Sequence, residues 1–175
     1  MPGLINIPSP RAIYKPPVVV TGGTVNYGVT GRDTIDGNFP NDPNACHFTI
    51  SGTTFTISSV SIYVSSQTVG QDIYFAVYSD DGANSPSTVV YSSPLFEWTD
   101  TSTGWKTFSW APGNLTASTK YWLCCNYNGT TVAHYDSTTA SDRGDYDNGY
   151  TLGTWPTWTS GGNWFGYSMY LTGTG

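Results

Sequence analysis

What this sequence has least of is charge. Its 175 residues include six Lys and Arg and twelve Asp and Glu, for a net charge of −6. No basic footprint for phosphate is present, which excludes nonspecific nucleic-acid binding. His47, His134 and Glu97 are the whole supply of their residue types. No Gly-x-Ser-x-Gly or His-Glu-x-x-His accompanies them, so acid–base and nucleophilic chemistry lack a motif and no enzyme is expected. Long apolar runs are also missing: nothing approaches the roughly 20 residues of a membrane span, and no membrane partner is expected. The residues after Met1 lack the basic and then apolar pattern of a secretory signal, so a product made in the cytoplasm is expected. Leu, Glu and Lys are scarce, and no stretch carries an apolar stripe of helical period, which excludes a helix-rich fold.

Cysteine is scarce and odd in number, with Cys46, Cys124 and Cys125. No Cys-x-x-Cys or His pair accompanies them, so no metal site or cofactor is expected. Cys124 and Cys125 are neighbours in a strand and point to opposite faces, so a bond between them would need a strained turn. Cys46 could pair with either, but three reduced, small apolar residues are the expected state.

What fills the space is Gly, Ser, Thr, Asn, Tyr and Trp. An aromatic content of 15% excludes disorder as the reason for the low charge. Ile73, Phe75 and Val77 alternate with Tyr74, Ala76 and Tyr78, the period of a strand with two faces. The inward set is expected to be Ile73, Phe75 and Val77. A run of turn-forming residues from Asp80 to Pro86 follows. Strands are then expected at residues 89–91 and 104–110. After a Pro112-Gly113 turn, Tyr121, Leu123, Cys125 and Tyr127 should share one face of a further strand. Earlier, Phe55 and Ile57 sit on odd positions and Val60, Ile62 and Val64 on even ones, which predicts a β-bulge at Ser58-Ser59. Further strands are expected at 46–50, 131–135 and 167–171, with a long polar loop before the last. These features predict an all-β chain, an antiparallel jelly-roll-like β-sandwich over residues 45–175. Trp105, Trp110 and Trp122, inside strands, are assigned mainly to its core.

Residues 1–44 read differently. Pro2, Pro8, Pro10, Pro16 and Pro17 prevent helix and central-strand pairing, so an extended N-terminal arm is expected, followed by a Gly/Pro-rich connection over 24–44. Leu4, Ile5, Ile7, Ile13 and Tyr14 are then available to a neighbour, together with Arg11 and Lys15. A solvated linker does not usually expose isoleucines. Arg11, Lys15 and Arg32 make the first 32 residues +3 and leave −9 on the remainder. A basic, apolar arm on an acidic body suggests docking, with a frayed end as the plain alternative.

The order VSIYV, IYFAVYSDDGANSPSTVVYSS, GWKTFSW, LTASTKYWLCCNYN, VAHYD resembles the small β-sandwiches called choice-of-anchor domains. The shared features are the Tyr78-Ser79-Asp80 strand end, Pro86 in the next turn, Gly104-Trp105 entering a strand, and Tyr121-Trp122-Leu123. Such domains occur in phage structural proteins and bacterial surface proteins. The resemblance spans residues 45–173 and carries no catalytic motif, so it implies a binding or structural role.

Two sets of residues remain as candidate sites. Trp155, Trp158 and Trp164 cluster with Tyr146 and Tyr150, either as an aromatic contact surface for sugar or protein or as a cap on the open end of the sandwich. Asp142, Asp145 and Asp147 offer oxygen ligands for Ca²⁺, but the spacing matches no EF-hand loop, and a solvated acidic turn is the plain alternative. Arg143-Gly144-Asp145 is taken as coincidental, and the sequons at Asn114 and Asn128 matter only if the chain enters a eukaryotic secretory pathway. The expectation is a noncatalytic capsid decoration (cement) protein of a tailed phage, carried on the virion. It would bind the major capsid protein and neighbouring copies of itself as a homo-oligomer. The alternatives are a glycan-binding module or tail-fibre adhesin, extracellular or at the cell surface, and a bacterial surface interaction domain.

Overall fold

A computed structural model describes residues 23–31, 35–37, 43–129, 132–136, 144–146, 152, 154–155, 158 and 166–175. Their regular structure is entirely β, with β1 (Thr24–Gly28), β2 (Ile35–Gly37), β3 (Asn44–Thr49), β4 (Phe55–Ser66) and β5 (Asp72–Asp80) in the first half. Then follow β6 (Pro86–Ser92), β7 (Phe96–Glu97), β8 (Gly104–Ser109), β9 (Asn114–Leu115) and β10 (Lys120–Tyr127). The chain closes with β11 (Val132–Asp136), β12 (Gly144–Tyr146), β13 (Gly166–Tyr167) and β14 (Met169–Thr174). No helix among the described residues is long and apolar enough to cross a membrane.

The strands form two antiparallel sheets, packed face to face as a sandwich. One sheet has eight strands ordered β1-β14-β4-β11-β13, with β2 on β11 and β8 and β9 on β4. The other has six, ordered β12-β3-β10-β5-β6, with β7 on β5. β4 is the axis of the larger sheet. Residues 59–62 pair with both β14 and β8, so those two strands must lie on opposite edges of β4.

The alternation in the sequence sets the faces. Ile73, Phe75 and Val77 of β5 and Leu123, Cys125 and Tyr127 of β10 point into the space between the sheets, as expected. They meet Ile57, Val60, Ile62 and Val64 of β4 and Met169 and Leu171 of β14. Phe75 touches Phe108 of the opposite sheet at a ring separation of 5.7 Å, and Trp98 meets Phe108 edge to face at 5.4 Å. The predicted bulge is present: Thr172 pairs with Ser59 and the next residue, Gly173, with Ile57, leaving Ser58 over. Gly173 is required there, because a Cβ would collide with the Thr56 carbonyl oxygen and the Phe55 ring.

Several expectations need correction. The stretch 24–44 is not a bare connection, since β1 pairs along β14 and β2 along β11. The polar loop before the closing strand contains β12, paired with β3. Of the three tryptophans assigned to the core, only Trp110, which directly follows β8, lies between the sheets. Trp122 is buried on the outer face of the six-stranded sheet, and Trp105 sits half-buried on the outer face of the eight-stranded one. Trp98, not singled out from the sequence, is the fully buried core indole. The turn after β5 is as expected: the Asp81 carboxylate accepts from the Ala83 and Ser85 amides, which hold it below the ordinary range.

Phe75 is fully buried and packs against two neighbouring rings, those of Phe96 and Phe108. Phe75→Ala is therefore expected to cost about 3–5 kcal/mol in chemical denaturation. A loss below about 1 kcal/mol would mean that the site collapses around the deletion or that the face assignment is wrong.

Candidate functional site

The outer face of the six-stranded sheet is built from the other half of the same alternation. Ala76, Cys124 and Ala45 lie side by side on β5, β10 and β3, because Cys124 pairs with both alanines. On one side of this row stand Tyr74 and Asn126, paired across β5 and β10. On the other stand Tyr78 and Trp122, likewise paired, with His47 opposite Trp122 on β3. Three small side chains between rows of large ones make a trough across the sheet.

Trp158 lies on this trough, 8% exposed and clustered with Ala45, Ala76, Tyr78, Trp122 and Cys124. Its ring meets Tyr78 edge to face at 5.8 Å. Trp155 stacks flat on Tyr74, with centroids 4.9 Å apart and planes 16° apart, and keeps part of its surface in solvent. Trp158 is thus not a cap on the open end of the sandwich but a cover on one of its outer faces. At the near end of the trough the Trp122 indole donates to Asp80 Oδ2 at 2.8 Å. Lys120 sits 3.5 Å from the same carboxylate oxygen, donates to Asn84 Oδ1, and lies 5.8 Å from the Trp122 ring centre. His47 stands edge-on to Trp122 at 5.1 Å, an imidazole held by packing.

The far end is unusual in its polar bookkeeping. Asn126 is fully buried, and neither its amide nitrogen nor its amide oxygen has a hydrogen-bond partner among the described residues. The indole nitrogens of Trp155 and Trp158 are likewise buried without partners among them. Orphaned buried polar groups cost about 1–3 kcal/mol each, so a cluster of them is a place where a hydroxyl-bearing molecule or water can gain. The arrangement suits recognition of neutral polar groups against aromatic walls.

Of the aromatic surface expected from sequence, the structure brings Trp155 and Trp158 together. It places the Tyr146 backbone in β12, opposite Asn44 at the edge of the same sheet. Tyr150 and Trp164 lie outside the described residues. So do Asp142 and Asp147, while Asp145 pairs through its backbone with Ala45. No group of three or more metal-ligating side chains occurs among the described residues. The arm residues Leu4, Ile5, Ile7, Arg11, Ile13, Tyr14 and Lys15 lie outside them also. The members that sequence reasoning missed are Tyr74, Tyr78, Trp122 and Asn126. Their signal was available: β5 and β10 are apolar or aromatic on both faces, which means that both faces are covered.

None of the three cysteines is in a disulfide, and all three are fully buried. Burial, and then the neighbouring Cys46, push the Cys125 thiol far above its ordinary range. A scan against models of known protein families and a search of curated proteins find no match to this chain.

Two outcomes are expected. In the native protein a thiol reagent at pH 8 should label none of the three cysteines, and all three should react in denaturant; fast native labelling of Cys125 would contradict its burial. Asn126→Leu, which removes both orphaned atoms while keeping volume, should raise stability by roughly 1 kcal/mol in urea denaturation. A loss of that size would show that the amide is satisfied through bound water.

Proposed function

We propose that this chain is a noncatalytic structural protein of a tailed-phage particle, a decoration or cement protein that holds to the capsid surface. Its partners in this reading are the major capsid protein and neighbouring copies of itself. The observation that carries it is where the apolar, proline-rich residues 1–22 enter the fold. They lead directly into β1, which ends the path of the eight-stranded sheet and pairs only with β14 among the described residues. An arm leaving from a sheet edge can reach a neighbour without disturbing the core. An arm already restricted by five prolines loses little freedom on docking, and docking covers its isoleucines.

The test is incorporation. Particles assembled with full-length protein should carry it and withstand more heat than particles without it, by mass action on the assembled state. Protein lacking residues 1–20 should keep the far-UV and near-UV spectra of the sandwich and fail to incorporate. Normal occupancy by the shortened protein would overturn the anchoring role.

A second reading is supported by the partly exposed Trp155 ring over Tyr74 and the buried, orphaned Asn126 amide paired with Tyr74 on the next strand. This is recognition of a neutral glycan at a cell surface, with Trp155 as the stacking ring. Binding on a glycan array that disappears with Trp155→Ala, together with no effect of the protein on particle stability, would favour it over the first.

A further inference from the structure

The outer face of the eight-stranded sheet has no charged side chain on β1, β14, β4 or β8. The positions directed away from the core are Thr24 and Asn26 on β1, Tyr170, Thr172 and Thr174 on β14, Ser59, Ser61, Tyr63 and Ser65 on β4, and Trp105, Thr107 and Ser109 on β8. In a chain of net charge −6, a four-strand surface without one carboxylate or ammonium is a distinct chemical zone. Several of its hydroxyls are satisfied where they stand. Ser61 Oγ and Thr107 Oγ1 bond each other at 2.8 Å, and Thr172 Oγ1 donates to Asn26 Oδ1 at 2.9 Å.

Three aromatic rings are gathered on this face. Trp105 pairs with Tyr63 across β8 and β4 and meets it edge-on at 5.5 Å. Tyr170 pairs with Ser61 from the other edge of β4. β8 and β14 are two strand spacings apart, about 10 Å. The Trp105 and Tyr170 rings nevertheless approach to 4.8 Å, so they meet over β4. That closure accounts for the burial of Ser61, 1% exposed, on an outward-facing position. Both rings keep part of their surface in solvent. A ridge of adjoining Trp and Tyr rings that also carries an indole N–H donor is the chemistry that recognises polyproline II, whose backbone carbonyls are all unpaired.

We propose that this face seats residues 8–17 of a second copy of the chain, the stretch with Pro8, Pro10, Pro16 and Pro17. The proposal rests on the reading of residues 1–22 as a docking arm and names the surface that receives it. Twenty-two residues precede Gly23. At about 3.1 Å per residue in polyproline II they reach about 65 Å, several times the width of four strands and enough to cross to a neighbour. Electrostatics favours the same partner. The arm carries Arg11 and Lys15 and the remainder of the chain is acidic, so arm and neighbouring body attract while two bodies repel. The seat, being uncharged, asks neither of those cations to shed its water. Arm and seat are different surfaces of one chain, so the contact is head-to-tail and can propagate over a lattice of copies.

The experiment uses the full-length chain in solution, with tryptic cleavage after Arg11 followed against protein concentration and sedimentation measured alongside. Cleavage should slow as concentration rises, together with growth of an associated species. The double variant Trp105→Ala/Tyr170→Ala should weaken association about tenfold or more, the scale of losing aromatic anchors, and restore fast cleavage. An arm variant with an untouched face, Pro10→Ala/Pro16→Ala, should lose association in the same way, which guards against a folding defect in the first. Protection that is independent of concentration would mean that the arm folds back on its own sheet and would overturn the proposal. So would cleavage and association unchanged in the face variant, or a neutral polysaccharide such as dextran binding that face in place of the arm. The reading as a particle protein fails separately: it falls if the shortened protein incorporates normally, whatever the solution result.

Discussion

The pairing of β5 with β10 is the constraint on which the rest of the molecule depends. These strands lie next to each other inside the six-stranded sheet and are covered on both faces. Their inward residues, Phe75 and Leu123 among them, carry the inter-sheet core. Their outward residues, Tyr74, Ala76, Tyr78, Trp122 and Cys124, carry a second apolar layer. A slip of one residue in this ladder would exchange the two sets, placing tyrosines and Trp122 between the sheets and Phe75 under the outer cover. Neither layer would then fit, because the inner space is matched to Phe75 against Phe108 and the outer trough to small side chains beneath Trp158. Register is thus specified twice over, from both sides of the same pair of strands.

This double coverage also explains what could and could not be read from the sequence. The inner face of β5, the shared face of Tyr121 to Tyr127 and the bulge near Ser58 were legible, because strict period-2 alternation and one change of parity determine them locally. The assignment of Trp105 and Trp122 to the core was not sound, because alternation says that a strand has two faces and not which partner covers each. Trp122 shares its parity with Cys124, and Trp105 its parity with Thr107. Those neighbours separate both indoles from the set that faces the opposite sheet. The strands that went unread are those with least propensity of their own. β7 and β9 have two residues each, β2 and β12 three, and β1 contains Asn26 and Gly28. Such segments become strands because a long partner offers its edge, β5 to β7 and β4 to β9, and that information is not local.

The two outer faces of the sandwich then differ in kind. The six-stranded sheet turns a trough outward and closes it with Trp158 from its own chain, at the cost of orphaning two indole N–H groups and the Asn126 amide. Such frustration is expected where binding capacity is held, since a core selected for stability alone would place an apolar residue at 126. The free edges are handled differently again. β6 exposes Val89 and Val90, yet it begins on Pro86 and loses register twice against β5, features that discourage another strand from adding there.

The eight-stranded sheet solves the opposite problem, that of presenting a surface which is open yet inexpensive to cover. Desolvating a charge is the largest penalty that an interface can incur, and β1, β14, β4 and β8 have none to desolvate on their outer side. Several of their polar side chains pair across neighbouring strands, Ser61 with Thr107 and Thr172 with Asn26, so a partner that displaces water does not strand those groups. The exposed ring surface stands on paired strands and loses little entropy when covered, because the strands already hold it. The nearest charges stand at the rim, where Asp100 is engaged by Lys106 and by Ser102 just before β8. Those contacts keep its carboxyl far below the ordinary carboxylate range. The charged groups therefore fix the loop that delivers Trp105 to the face, while the face itself has only shape, ring surface and neutral polar groups to offer.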